Sequence, residues 1–157
     1  MAGAFKAGPG PAPLALTMGE PAGIGLDITL ETWLMRREHQ VPPFYLIGDR
    51  DALVRRARAL FLDCPIVSAH PETAASRFDH ALPVVPCGAP VAGLPGKPTG
   101  EDAASVIGAI ERAVDDVAAG RAASRRFAGA RRRRRPICII TRTNPWSNCC
   151  ADARSWC

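Results

Sequence analysis

Residues 14–25 read Leu-Ala-Leu-Thr-Met-Gly-Glu-Pro-Ala-Gly-Ile-Gly, a short apolar run passing straight into a Gly/Pro-rich loop with a helical pattern close behind. In open α/β folds, ligands bind beyond the carboxyl ends of the strands, where glycine turns expose backbone donors and allow close approach. The stretch therefore predicts an α/β fold and marks the first place to look for a ligand. The spacing of Gly19, Gly23 and Gly25 fits neither G-x-G-x-x-G nor G-x-x-x-x-G-K-[ST], and no lysine follows Gly25. Pro21 also removes one N–H donor from the loop. A tight strand-to-helix turn without a ligand fits the same residues, so the pattern leaves both readings open.

Working outward, Leu26, Leu30, Trp33, Leu34 and Arg37 follow the spacing of one helix face, ending in a polar Arg-Arg-Glu-His edge. Phe44–Ile47 reads as a second strand, and Gly48-Asp49-Arg50-Asp51 offers capping carboxylates to a helix whose Leu53, Ala57, Leu60 and Phe61 share a face. Pro65–Val67 and Leu82–Val85 are the next strand candidates. Residues 87–97, Cys-Gly-Ala-Pro-Val-Ala-Gly-Leu-Pro-Gly-Lys, are too rich in glycine and proline for regular structure. Thr99-Gly100-Glu101-Asp102 then has capping-box spacing. In the helix that follows, Ala103, Val106, Ile107, Ile110, Ala113, Val114 and Val117 form a stripe. Glu101, Asp102, Glu111, Arg112, Asp115 and Asp116 fall on the other face, and Gly120 is placed to end the helix. Strands alternating with helices argue for a parallel or mixed sheet with helices against its faces.

The 157 residues have the length of one domain, and 47% hydrophobic with 22% charged residues is the composition of a soluble globular protein. No apolar run approaches the roughly 20 residues that span a bilayer, and residues 1–12 read as a disordered leader without a signal-peptide core, so the cytoplasm is expected. The net charge of +5 is uneven: residues 1–123 carry −3 and residues 124–157 carry +8. The last 34 residues also hold Cys138, Cys149, Cys150 and Cys157, two of the three tryptophans, and the run Arg131–Arg135. Their periodicity is lost, and they are not expected to pack as a domain.

Three stretches, Leu-Thr-Met-Gly-Glu-Pro-Ala-Gly-Ile-Gly at 16–25, Tyr45–Asp49, and Gly96–Val114, resemble in order the N-terminal part of the 4-hydroxythreonine-4-phosphate dehydrogenases. The likeness covers about residues 13–123; against the family's usual opening, Glu20 stands for Asp and Leu26-Asp27 for Pro-Glu, with both acids keeping their charge. The resemblance implies the first part of an isocitrate/isopropylmalate-dehydrogenase-like three-layer α/β/α sandwich, here truncated. It implies NAD-dependent oxidation of 4-(phosphooxy)-threonine followed by decarboxylation, in pyridoxal 5'-phosphate (vitamin B6) biosynthesis. It further implies a divalent metal (Zn, Mg or Co) and a cleft shared within a homodimer. The family's V-T-x-P-I-x-K segment, its G-H-T-E and its three metal-binding histidines have no counterpart here, so an inactive chain that binds neither NAD nor metal well is expected. Residues from about 124 onward are expected to come from a shifted reading frame.

Thr17, Glu20, Gly23 and Gly25 are the candidates for lining the substrate or cofactor cleft, with Lys97 and Thr99 behind them. Glu20 serves equally well as a cap for the following helix. No catalytic or metal residue is assigned: His39, His70 and His80 are dispersed, and the tail cysteines lack metal spacing. Cys64 and Cys87 read as buried or loop thiols. The alternative reading is a small non-enzymatic α/β domain whose Arg131–Arg135 run binds nucleic acid or other anions non-specifically.

Overall fold

The computed structural model describes residues 12–123. Four strands, β1 (Leu14–Thr17), β2 (Phe44–Gly48), β3 (Ile66–Ser68) and β4 (Leu82–Pro86), form one parallel sheet in the order β1-β2-β4-β3. Between them run α1 (Gly25–Leu34), α2 (Arg50–Ala59) and α3 (Pro71–Arg77); a 3-10 turn at Gly100–Asp102 leads into α4 (Ala103–Ala118). The chain skips one place from β2 to β3 and steps back from β3 to β4. Right-handed crossovers in opposite directions put α2 and α3 on opposite faces.

Strand alternation builds two cores. Phe44, Leu46, Leu82 and Val84 point towards Leu26, Leu30 and Trp33 of α1 and Ala52, Leu53 and Ala57 of α2. Tyr45, Ile47 and Val85 point towards Ala74 of α3 and Ala109 and Ala113 of α4. β2 is buried along its whole length, which is why it reads as an unbroken apolar run. The sheet is thus the middle of three layers. After α4, Gly120 takes a left-handed φ of 74°, and the Ala123 N–H donates to Pro13 O at 2.9 Å beside the outer edge of β1.

The strands fall within a residue or so of the expected runs, whereas the helical expectations need correction: α1 ends at Leu34, so Leu34 and Arg37 are exposed and do not share the buried face of Leu26, Leu30 and Trp33. α2 stops at Ala59, so Leu60 is partly exposed and Phe61, with φ 54°, is 96% exposed instead of joining the helix face. Leu62 N–H donates to Ala57 O at 2.9 Å, the closing bond of a left-handed helix end, and Phe61 occupies the position where glycine is usual. On α4, the buried positions are Ser105, Ala109, Ala113 and Asp116, while Ile107 from the expected stripe is 56% exposed. Small side chains let this helix lie close to the sheet, and Asp116 finds donors there. Thr99 makes no side-chain cap bond, so the capping box does not form; Asp102 turns to the preceding loop instead. α3, a seven-residue helix opened by Pro71, had no counterpart among the expected elements.

Candidate functional site

The loop after β1 is held by one turn of its own and by bonds from the elements around it. Gly19 has φ 64°, the Gly23 N–H donates to Glu20 O at 2.9 Å, and Glu20 Oε1 accepts from Ala22 N at 3.2 Å. Glu20, otherwise exposed, thus stabilises a turn opened by Pro21 and does not cap α1. Gly25 is required by close approach, because a Cβ there would stand 2.7 Å from Met18 O. Thr17 ends β1 half-buried. From the other side, Arg56, 8% exposed, donates to both oxygens of Asp27 at 2.8 and 2.7 Å and to Pro21 O at 3.0 Å. Asp27, one of the two acids retained in the motif, therefore ties the loop and α1 to α2. Ile24, the residue ahead of α1, gives that helix no side-chain cap.

α2 follows β2 on one face and α4 follows β4 on the other, so the switch point of this sheet lies between β2 and β4. An open cleft of about 330 Å³ sits there, at the carboxyl ends of those strands. Gly48, Asp49, Arg50 and Asp51 line one side, Ser68 the end, and Pro86 to Pro90 the other side. Thr17, Glu20, Gly23 and Gly25 are not among its lining residues; neither are Lys97, which is exposed, nor Thr99, whose hydroxyl is buried without a partner.

An acid at the end of the second strand is where dinucleotide folds accept ribose hydroxyls. Asp49 occupies that place, but its Oδ1 accepts from Asp51 N at 2.8 Å, capping α2, and its Oδ2 accepts from Val91 N at 3.1 Å. Both oxygens are committed to the fold, so the residue does not fit that role. Arg50 is paired with Asp51 at 3.2 Å. The Cys87 thiol in the cleft wall is pushed up by burial, and the Cys64 thiol is pushed up to about 11 by the same cause, so neither is an activated nucleophile.

Residues 87–97 arch from the cleft wall back to the first loop. Asp102, 2% exposed, accepts from Ala92 N and Gly93 N, both at 2.8 Å. The Ala92 N–H, with that of Gly93, outweighs the cost of burial and holds the Asp102 carboxyl below its ordinary range. Arg55 donates to Val91 O at 3.0 Å, Ser105 Oγ to Ala89 O at 3.0 Å, and Gly96 N–H to Ala22 O at 2.8 Å. The sequence offers Asp102 only as part of a capping box and gives no sign of the Arg56 role, because their partners lie 9 and 10 residues away for Asp102 and 29 and 35 for Arg56. The one available signal was an acid just ahead of a helix and next to a Gly/Pro-rich loop.

His39 and His80 are exposed, and His70 stands at the start of α3. Among the described residues, no three of His, Cys, Asp or Glu stand together as a metal site. Arg131–Arg135, the four tail cysteines and residues 1–11 lie outside the described residues. No helix among the described residues is long and apolar enough to cross a membrane.

No family model matches the chain. It is 48% identical over 114 residues to a 4-hydroxythreonine-4-phosphate dehydrogenase of Xanthobacter autotrophicus, covering 73% of this chain and 33% of that protein. It is 47% identical over 118 residues to the Bradyrhizobium diazoefficiens protein of the same name, covering 70% and 34%. The chain spans about a third of the length of the curated relatives it matches. A crystal structure of a 4-hydroxythreonine-4-phosphate dehydrogenase from Burkholderia phymatum matches with a TM-score of 0.63 at 19% identity, covering 71% of this chain and 34% of that one. At that identity the structure speaks for the fold, a parallel α/β sheet between helices. The sequence matches carry the assignment: over about 70% of its own length, the chain matches the 4-hydroxythreonine-4-phosphate dehydrogenase family.

Proposed function

We propose that residues 13–123 are the N-terminal part of an enzyme that oxidises 4-(phosphooxy)-threonine with NAD and releases carbon dioxide, in the cytoplasmic synthesis of pyridoxal 5'-phosphate. The observation that carries this reading is 48% identity over 114 residues with a protein of that name. The larger architecture is an isocitrate/isopropylmalate-dehydrogenase-like sandwich, and the family assembly is a homodimer. Within it, Thr17, Glu20, Gly23 and Gly25 face the substrate or cofactor. Support comes from the start of α1, which no side chain caps and where helix geometry favours an anionic group.

The chain as it stands does not turn over. The reading rests on residues 123–136, Ala-Ser-Arg-Arg-Phe-Ala-Gly-Ala-Arg-Arg-Arg-Arg-Arg-Pro, which stand where the family's V-T-x-P-I-x-K segment is expected to begin. Residues from about 124 onward are the product of a shifted frame. The jump from −3 to +8 at that junction supports this, as does the loss of the family's motifs there.

The test has two arms. Coding DNA read one or two bases out of register after codon 123 is expected to yield V-T-x-P and G-H-T-E, and their absence would remove the frame proposal. The chain as given, mixed with NAD, 4-(phosphooxy)-threonine and Zn, Mg or Co, is expected to make no NADH, whereas the chain continued in the other frame makes it. Turnover by the former would overturn inactivity; silence from the latter would overturn the enzymatic reading. The Arg131–Arg135 run favours a second reading, binding of nucleic acid. That reading requires selectivity among nucleic acids that survives physiological salt.

A further inference from the structure

We propose that Asp102 clasps residues 87–97 into a strap that joins the cleft wall and the loop at residues 18–24 into one cooperative unit. A Gly/Pro-rich stretch of this length, with only an isolated Leu94–Lys97 bridge, has little regular structure to hold it. Here side chains from three elements hold it instead. Asp49 and Arg55 take the N–H and C=O of Val91, Ser105 takes the Ala89 carbonyl, and Asp102 takes the amides of Ala92 and Gly93. Gly93 has no room for a side chain, since a Cβ would stand 2.5 Å from Asp102 Oδ2 and 3.6 Å from the Ala22 Cβ.

The cooperativity follows from burial. The Asp102 carboxylate accepts from two backbone amides, one on each oxygen. Losing one of them leaves a charged oxygen under-bonded and away from water, which is costly, so the two amides let go together. Gly93 lies against Ala22, and Gly96 donates to Ala22 O at 2.8 Å, so the release reaches the first loop. At its other end the strap supplies Cys87 to Pro90 of the cleft wall. A molecule that shifts that wall therefore shifts the Gly/Pro loop. That these loops meet substrate or cofactor rests on the reading proposed above, while the clasp rests on the geometry alone.

Residue-resolved amide hydrogen exchange on the full chain tests it. In the wild type, Ala92, Gly93 and Gly96 are expected to share one opening reaction with the same response to added denaturant. Asp102→Asn is expected to speed exchange at all three by about tenfold or more, while the amides of Leu46 and Ile47 in the core keep their rates. Gly93→Ala disturbs the clasp from the strap side and is expected to give the same pattern. Three independent openings in the wild type would overturn the proposal. So would acceleration confined to Ala92 and Gly93 with Gly96 unchanged. If Asp102→Asn does not fold, the wild-type titration and Gly93→Ala decide. The experiment uses neither NAD nor substrate, so its failure leaves the enzymatic reading standing, and absent turnover leaves the clasp standing.

Discussion

The two faces of the sheet are held by different physics. On the α1/α2 face, bulk does the holding: Leu26, Leu30, Trp33, Phe44, Leu46 and Leu53 are each no more than 3% exposed. On the α3/α4 face, the helices contribute alanines, and the largest buried groups are Tyr45 and an ion cluster. Asp116, fully buried, accepts from Tyr45 OH at 2.8 Å and from the Nε of both Arg112 and Arg121 at 2.9 Å. Burial would raise the Asp116 carboxyl, but donors from Arg112, Tyr45 and Arg121 more than offset it and hold the group below its ordinary range. Burial and the bond to Asp116 push the Tyr45 hydroxyl well up, so it stays a neutral donor. Volume fixes one face, while directed hydrogen bonds fix the other and also anchor Arg121, where the chain turns back towards β1. The first kind of face tolerates apolar exchange of similar size; the second tolerates almost no change at one atom pair.

Substitutions on the two faces should separate accordingly. Trp33→Ala removes the largest side chain of the apolar face, its Nε1 bond to Phe78 O at 2.9 Å and the platform under Arg36, so a loss of about 4 kcal/mol is expected in chemical denaturation. Asp116→Asn leaves two arginines sharing an amide, and should cost on the order of 3 kcal/mol although it removes no volume. A cost below that of an ordinary surface change would mean that the α4 face is held by its alanines alone. Tyr45→Phe keeps the ring and removes one donor, for about 1 kcal/mol. Ile107→Ala, on the expected but exposed stripe, should stay within about 0.5 kcal/mol; a loss near 2 kcal/mol would restore the apolar reading of α4.

Legibility in the sequence divides along the same line. Strands and α1 are readable because apolar side chains packing on apolar side chains leave a period of 2 or 3.6 residues. α4 has a period too, but it is carried by Ser105, Ala109, Ala113 and Asp116, and the larger Val and Ile between them mask it. An aspartate is assigned to solvent unless its donors are known, and Tyr45 lies 71 residues away. The short α3, Pro-Glu-Thr-Ala-Ala-Ser-Arg, has too few apolar residues for a stripe. At the carboxyl edge, the glycines at 19, 23 and 25 marked the loop, and Asp49 was legible as a cap. The arch of residues 87–97 was not, because its order comes from side chains bonding to backbone that no periodicity encodes. The cleft at the β2/β4 switch point depends on strand order, which local sequence does not carry.

The most direct test of the two-face account is the stability of the wild type and Asp116→Asn measured side by side from neutral pH into acid. A carboxyl depressed in the folded state stabilises the protein above the ordinary value of about 3.9, and that contribution is lost as pH falls through the depressed value. The gap between the two proteins should therefore be widest at neutral pH and close progressively below about pH 4. A gap of constant size across that range would show that the Asp116 charge does not hold the α4 face.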